Sequence, residues 1–279
     1  MRNLALLCTN NILPAGILNA VLDRLCPQIQ GQADMELIVV SHFPIMEGAE
    51  RVELEDPEEY VPDRFDDVIL KDFRYDFSQY YIPVRNLYCG RIKSSIFNLF
   101  KQMLAGINAS DAENIFFTEH DVLYPDAYFS EMNRALETHS IACWRNVKIL
   151  NWFGYINISK TNLALSRFVM KAEIARDIFE GRLARKACVW VEPILLGAEY
   201  SMGGDISEET IYEDFVFLDD GDVVLDIKHG LNSCGMILGE HEDEDSVWGK
   251  KEQYIDLIDE SYIEFLKKHQ TYCYGIVCL

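Results

Sequence analysis

The stretch Asn114-Ile-Phe-Phe-Thr-Glu-His-Asp-Val-Leu-Tyr-Pro125 constrains this chain more than any other. Ile115, Phe116 and Phe117 form an unbroken apolar run, the pattern of a short strand buried on both faces. A strand covered on both sides belongs to the parallel sheet of an α/β fold, with helices above and below it. Three polar residues then arrive together, Glu119, His120 and Asp121, before Val122 and Leu123 return to apolar. Tyr124-Pro125-Asp126 opens a helical pattern that runs to Thr138, with proline tolerated in a first turn. Two carboxylates and an imidazole therefore stand where a central strand leaves its sheet, and in open α/β sheets ligands bind at that end of the strands. A hard divalent cation holding phosphate oxygens needs one or two protein carboxylates and little else. The triplet reads as the meeting place of such a cation and a nucleotide diphosphate. The plainer alternative is a solvated acidic turn that helps cap the next helix.

The N-terminal part supports the same architecture. Leu4 to Cys8 reads as a strand, Pro14 to Leu25 as a helix with Ile17, Leu18, Val21, Leu22 and Leu25 at helical spacing, and Leu37 to Val40 as a second strand. This β-α-β order predicts a parallel, doubly wound half. Its first loop, Thr9 to Asn11, falls at the strand ends and is a candidate for base or ribose contacts, Thr9 and Asn10 first; an ordinary Asn-rich turn is the alternative. Residues 47–67 are dense in Glu and Asp and read as a solvated excursion. A helix is expected from Arg91 to Ile107, with Arg91 and Lys93 at its start and Arg85 just upstream. Cations clustered in an acidic protein suit phosphate oxygens.

Downstream, strands are expected at Ile141–Trp144 and Asn151–Ile158. A helix is expected over Ser166–Leu183 whose basic face (Arg167, Lys171, Arg176 and Arg182, with Arg185 and Lys186 just beyond) offers a docking surface for an anionic acceptor; a solvated face offset by Glu173, Asp177 and Glu180 is the alternative. Glu192 sits in Val-Trp-Val-Glu-Pro, an apolar setting that raises a carboxyl pKa and suits a proton acceptor. Residues 203–214 read as a lid or a loop, Val223–Gly230 as a strand ending in His229, and residues 240–245 as a solvated acidic run. Tyr254–Leu266 reads as a packing helix.

Composition limits the partners. The formal net charge of -21 on 279 residues repels nucleic acid phosphates and anionic membrane surfaces. The same charge explains why a cation would be needed before this protein could hold a diphosphate. Eight cysteines are scattered with no Cys-x-x-Cys pair, the pattern of reduced, buried thiols rather than a zinc framework. The apolar core of the N-terminus is too short for a signal peptide, and no run is long enough to span a bilayer. The expectation is a soluble protein of a cytoplasm, its own organism's or a host's, with no membrane partner.

Phe-Phe-Thr-Glu-His-Asp-Val-Leu-Tyr-Pro resembles the metal-binding "DXD" region of GT-A fold glycosyltransferases, in a variant with Glu-His-Asp for Asp-X-Asp. Leu-Asp-Ile-Lys-His-Gly resembles, more weakly, the late strand from which many members add a histidine. The resemblance implies one Rossmann-like domain over residues 1–279 with a central mixed, mostly parallel sheet flanked by helices. Residues 1–125 would bind the nucleotide sugar and 126–239 the acceptor, with 240–279 an acidic loop and packing helix. It implies Mn²⁺ or Mg²⁺ on Asp121 and His229, with Glu119 reaching the metal through water or touching the ribose, and His120 beside them. A metal so placed neutralises charge on the leaving diphosphate. The donor would be a nucleotide sugar, a UDP-sugar first among them. If the reaction inverts, the base is a carboxylate: Glu192 first, then Glu213 and Asp214, which resemble the family's "xED" pattern. The acceptor hydroxyl would lie on a glycan, a protein or, as for compact viral members, a hydroxymethylated base in DNA, which the net charge disfavours. No Gln-x-x-Arg-Trp element of processive polysaccharide synthases is found. A nucleotidyltransferase and a non-catalytic nucleotide-sugar-binding module are the competing readings.

Overall fold

The computed structural model describes residues 2–62, 68–151, 154–157, 165–185, 214–218, 222–227, 242–245, 247–258, 260 and 262–264. The first half runs β1 (Asn3–Thr9), α1 (Ala15–Gln30), β2 (Met35–Ser41), β3 (Glu50–Arg51), β4 (Val84–Tyr88), α2 (Ile96–Asn108), β5 (Asn114–Glu119) and β6 (Val122–Leu123). Then come α3 (Tyr128–Ala135), β7 (Ile141–Trp144), β8 (Val147–Asn151), β9 (Gly154–Asn157), β10 (Phe168–Lys171) and α4 (Ala172–Arg185). The remaining elements are β11 (Phe215–Leu218), β12 (Val224–Ile227), β13 (Glu244–Asp245), β14 (Gly249–Lys250) and α5 (Glu252–Ile255).

Eight strands form the central sheet in the order β11-β7-β10-β5-β1-β2-β4-β3. Every neighbouring pair is parallel except the two made by β10, which runs antiparallel between β5 and β7. The protein is thus a mixed α/β structure with a mostly parallel central sheet, as its β-α-β opening predicts. A second sheet, β6-β12-β8-β9, stands beside it.

Alternation along the central strands builds two cores. Ala5, Leu7 and Phe116 face one side, with Ile17, Leu18, Val21 and Leu22 of α1 and Phe129 of α3. Leu4, Leu6, Ile115 and Phe117 face the other, with Phe100 of α2 and Phe179 of α4. Helices on both faces are what turn the apolar run at 115–117 into a central strand. On the α2 side the approach is close: a Cβ on Gly106 would overlap Leu6 Cδ1 and lie 3.1 Å from Val40 Cγ2. The missing side chain at Gly106 lets α2 lie that close to the sheet.

Four expectations change. The helix expected over 166–183 begins at Ala172, because Phe168–Lys171 is strand β10. The helix expected from Arg91 starts at Ile96, where Ser95 Oγ accepts the Asn98 N–H at 3.2 Å as N-cap. The strand expected over 151–158 is an antiparallel pairing of β8 with β9. The acidic run at 240–245 is not simply solvated: Asp245 is buried, ion-paired to Lys148, and accepts the N–H groups of Val247 (2.8 Å) and Trp248 (3.1 Å).

Candidate active site

Parallel strands β1, β2 and β5 end on the same side of the sheet, at Thr9, Ser41 and Glu119. A cleft of about 350 Å³ opens there. Its wall includes Thr9 and Asn10 after β1, His42 after β2, Lys93, Ser94 and Ser95 ahead of α2, and Thr118 to Asp121 at the end of β5. Six of the expected site residues (Thr9, Asn10, Lys93, Glu119, His120 and Asp121) are thereby brought to one cavity.

The acidic turn is held by a residue the sequence reading passed over. Tyr124, wholly buried, accepts the Glu119 N–H through its phenol oxygen (3.2 Å) and donates to the Ser166 carbonyl (2.9 Å). Burial first, and then the nearby Tyr128, push that phenol well above its ordinary pKa, so it stays a donor at any working pH. Arg24 Nε and Gln28 Nε2, one turn apart on α1, each donate to the Tyr124 carbonyl at 2.8 Å. The turn that presents residues 119–121 is thus fixed at both ends.

The next strand over bears on Asp121 directly. β12 pairs antiparallel with β6, Leu225 opposite Leu123 and Asp226 opposite Val122. At its end the Ile227 N–H donates to the Asp121 carbonyl at 2.8 Å. Two residues further along the sequence is His229, which lies outside the described residues, as do Glu192 and Glu213. Among the described residues no three His, Cys, Asp or Glu side chains are grouped to hold a metal.

The β1 loop is locked by side chains. Asn10 Oδ1 accepts the Ile12 N–H at 3.0 Å and its Nδ2 donates to Ser94 Oγ at 3.3 Å, tying β1 to the approach of α2. Asn11, fully buried at a left-handed φ of 60°, accepts the N–H groups of His42 (3.0 Å) and Phe43 (3.1 Å) on Oδ1. No local pattern announces that role, since its partners lie some thirty residues away.

His42 also escaped the sequence reading. It is 3% exposed, and burial, followed by the charge of Arg91, pushes its imidazole down to about 4. The folded pKa then lies below the unfolded one, so between about 4 and 6.5 the unfolded chain binds the extra proton and stability falls as pH drops through that window. Replacing His42 by Gln should remove a share on the order of 2–3 kcal/mol from the acid loss. Urea unfolding of both proteins at pH 7 and pH 4.5 measures it; equal acid losses would contradict the assignment. Cys8 also lines the cleft, but burial raises its thiol far above the ordinary value and removes it as a nucleophile.

The other cations and carboxylates go elsewhere. Arg91 lines an adjoining cavity of about 230 Å³ that shares His42, Lys93 and Ser94 with the cleft, and its guanidinium lies 3.8 Å over the Tyr60 ring. Arg85 is not in the cleft lining. It grips Glu50 with two bonds (3.2 and 3.1 Å) and donates to the Ala109 carbonyl (2.6 Å) at the far end of α2, where a cation complements the helix dipole. Asp214 precedes β11, which is parallel to β7 and, through β10, to β5; it sits at the opening end of those strands, accepting from the Ser140 hydroxyl at 2.8 Å. Glu119 closes β5, so Asp214 and the cleft occupy opposite ends of the sheet. Of the expected basic docking face, Arg167 and Arg182 are buried, Arg182 against Phe100, while Lys171 and Arg176 hold Asn114 and Asn108; the Arg185 side chain and Lys186 lie outside the described residues.

Among the described residues no helix is long and apolar enough to cross a membrane. No protein-family model matches the sequence, and no curated protein does. Among solved structures, this chain is similar to S. aureus TarS 1-349 in complex with UDP-GlcNAc, with a TM-score of 0.46, 13% identity, and coverage of 98% of this chain and 73% of that one. A second structure of S. aureus TarS 1-349 gives 0.44 and 10%, over 81% and 60%. The mannosyltransferase PcManGT from Pyrobaculum calidifontis, in complex with GDP-Man and Mn²⁺, gives 0.41 and 13%, over 81% and 56%. The chain spans 60% of the length of the second TarS structure and 56% of the mannosyltransferase. All three scores lie below 0.5, so what this protein does has to be argued from its own residues.

Proposed function

We propose that this chain is a nucleotide-sugar-dependent glycosyltransferase of the GT-A kind, with the cleft at the ends of β1, β2 and β5 as its donor site. The observation that carries the reading is the Ile227–Asp121 bond, because it sets the strand running toward His229 against the acidic turn. Asp121 and His229 are the proposed ligands of Mn²⁺ or Mg²⁺, with Glu119 acting through water or on the ribose and His120 beside them. The donor chemistry fits: one or two carboxylates and an imidazole leave positions for phosphate oxygens and water, which suits these ions better than a closed cage. When bound, such an ion supplies charge neutralisation on the leaving diphosphate.

The remaining roles belong to the chain itself. Thr9 and Asn10, rigid through their own turn, would orient the nucleoside. Lys93 and the N–H groups at the start of α2 would hold phosphate oxygens, with Arg91 set further out. Glu192 or Glu213 is the proposed base for the acceptor hydroxyl. The donor is proposed to be a UDP-sugar first, over one domain comprising residues 1–279.

A thermal-shift screen of nucleotide sugars with and without Mn²⁺ tests the reading and identifies the donor without knowledge of the acceptor. A ligand at about a hundred times its Kd adds roughly 2.7 kcal/mol of stability, a shift of a few degrees for a chain of this size. A metal-dependent shift with one class of nucleotide sugar is expected, followed by release of nucleoside diphosphate on turnover. Pyrophosphate release would favour a nucleotidyltransferase instead, and tight binding without turnover a binding module.

A further inference from the structure

The acidic segment after β3 is seated on the approach to α2, beside the cleft. The Glu58 N–H donates to Asn98 Oδ1 at 2.9 Å, and the Glu58 carbonyl accepts from Asn98 Nδ2 (2.9 Å) and from the Lys93 N–H (3.2 Å). Asn98 lies in the first turn of α2 and is 1% exposed, so the seat is rigid, and it is made by main-chain groups of Glu58 that carry no charge. The side chain is a separate matter. Glu58 Oε1 lies 3.3 Å from Lys93 Nζ, the cation that the cleft shares with the cavity of Arg91. The Ser95 hydroxyl first, with Lys93 adding to it, holds the Glu58 carboxyl below the usual carboxylate range although burial opposes them. An anionic oxygen set against an ammonium at the entrance of a helix is the arrangement a ligand phosphate oxygen would itself make.

We propose that Glu58 is an internal counter-anion of the phosphate subsite: in the free protein its carboxylate holds Lys93, and it yields that contact when a diphosphate arrives. The inference rests on the donor-site reading above and assigns that site its dependence on a divalent cation. With Glu58 in place, Lys93 is neutralised, so a bare diphosphate approaching that ammonium meets the Glu58 carboxylate and is repelled by it. A cation arriving with the diphosphate reverses that sign. The exchange is easy, because the Lys93 and Glu58 side chains are 52% and 37% exposed and such pairs hold weakly.

Isothermal titration calorimetry on the full chain tests this, using UDP and inorganic pyrophosphate as probes with and without Mn²⁺. Wild type is compared with Glu58→Gln, Lys93→Gln and the double variant. Glu58→Gln should bind either anion about tenfold tighter without Mn²⁺, the size of one like-charge repulsion removed at the edge of a site. The gain from adding Mn²⁺ should shrink correspondingly, and the Glu58→Gln effect should vanish in the Lys93→Gln background. The main-chain seat leaves the variant folded; Glu58→Ala gives the same comparison if glutamine does not. Unchanged or weaker anion affinity in both Glu58 variants, with Mn²⁺-dependent UDP binding intact, overturns the counter-anion and spares the donor-site reading. A gain for pyrophosphate with no UDP binding under any condition does the reverse. Binding of neither anion to any variant overturns both.

Discussion

Asp121→Asn should lower sugar transfer by about a thousandfold, equivalent to roughly 4 kcal/mol of barrier, while leaving the fold intact. The two halves of this expectation separate because Asp121 serves the fold through its carbonyl, which accepts the Ile227 N–H, and that group survives the substitution. The carboxylate is what the proposed cation needs, and asparagine offers a neutral oxygen in the same place. Steady-state release of nucleoside diphosphate at saturating Mn²⁺ measures the loss, and the melting temperature supplies the control. Full activity in the variant, or full wild-type activity with the metal chelated, would remove Asp121 from the chemistry. Glu119→Gln should cost less, since its proposed contact is indirect.

The largest stability effect should come from Asn11→Ala, a loss of about 3–5 kcal/mol in urea unfolding. Alanine would strand the buried N–H of His42 and the part-buried N–H of Phe43, which share the one Asn11 oxygen, and would hold a Cβ residue at a φ of 60°. The Asn11 side chain also reaches Leu70, its Nδ2 donating to the Leu70 carbonyl at 3.4 Å. That loop would be loosened along with the β2 end. Asn11→Gly relieves the backbone strain but not the missing acceptor, so it should recover about 1 kcal/mol of the loss. Asn11→Asp keeps the acceptor and should recover most of it. A neutral Asn11→Ala would mean that the β1 and β2 loops are held together by something else.

What the sequence disclosed follows from where its signals are local. The runs at 4–8, 37–40 and 115–117 are apolar because both sheet faces are covered, and each reads directly as a central strand. β4 carries no such run: Val84-Arg-Asn-Leu-Tyr is only half covered, its Asn86 turning inward to Val39 and Ser41. β10 is four residues, Phe168 to Lys171, too short for periodicity to tell strand from helix, and its antiparallel direction is a tertiary choice. The site divides in the same way. Glu119 to Asp121 were legible because a polar triplet interrupts an apolar strand. The positioning roles of Asn11, His42 and Tyr124 were not, because each acts through partners distant in sequence or through its main chain. Arg85 and Asp214 looked equally suited to a site by type; strand direction alone sends them elsewhere.

The central claim is that the side chains of Asp121 and His229 together hold a cation on the donor's phosphates. Mn²⁺ binding followed by electron paramagnetic resonance, in the presence of UDP, tests it most directly on wild type, Asp121→Asn and His229→Ala. One bound ion in wild type and strongly weakened binding in both variants is the predicted result. One ion held with wild-type affinity in both variants would contradict it.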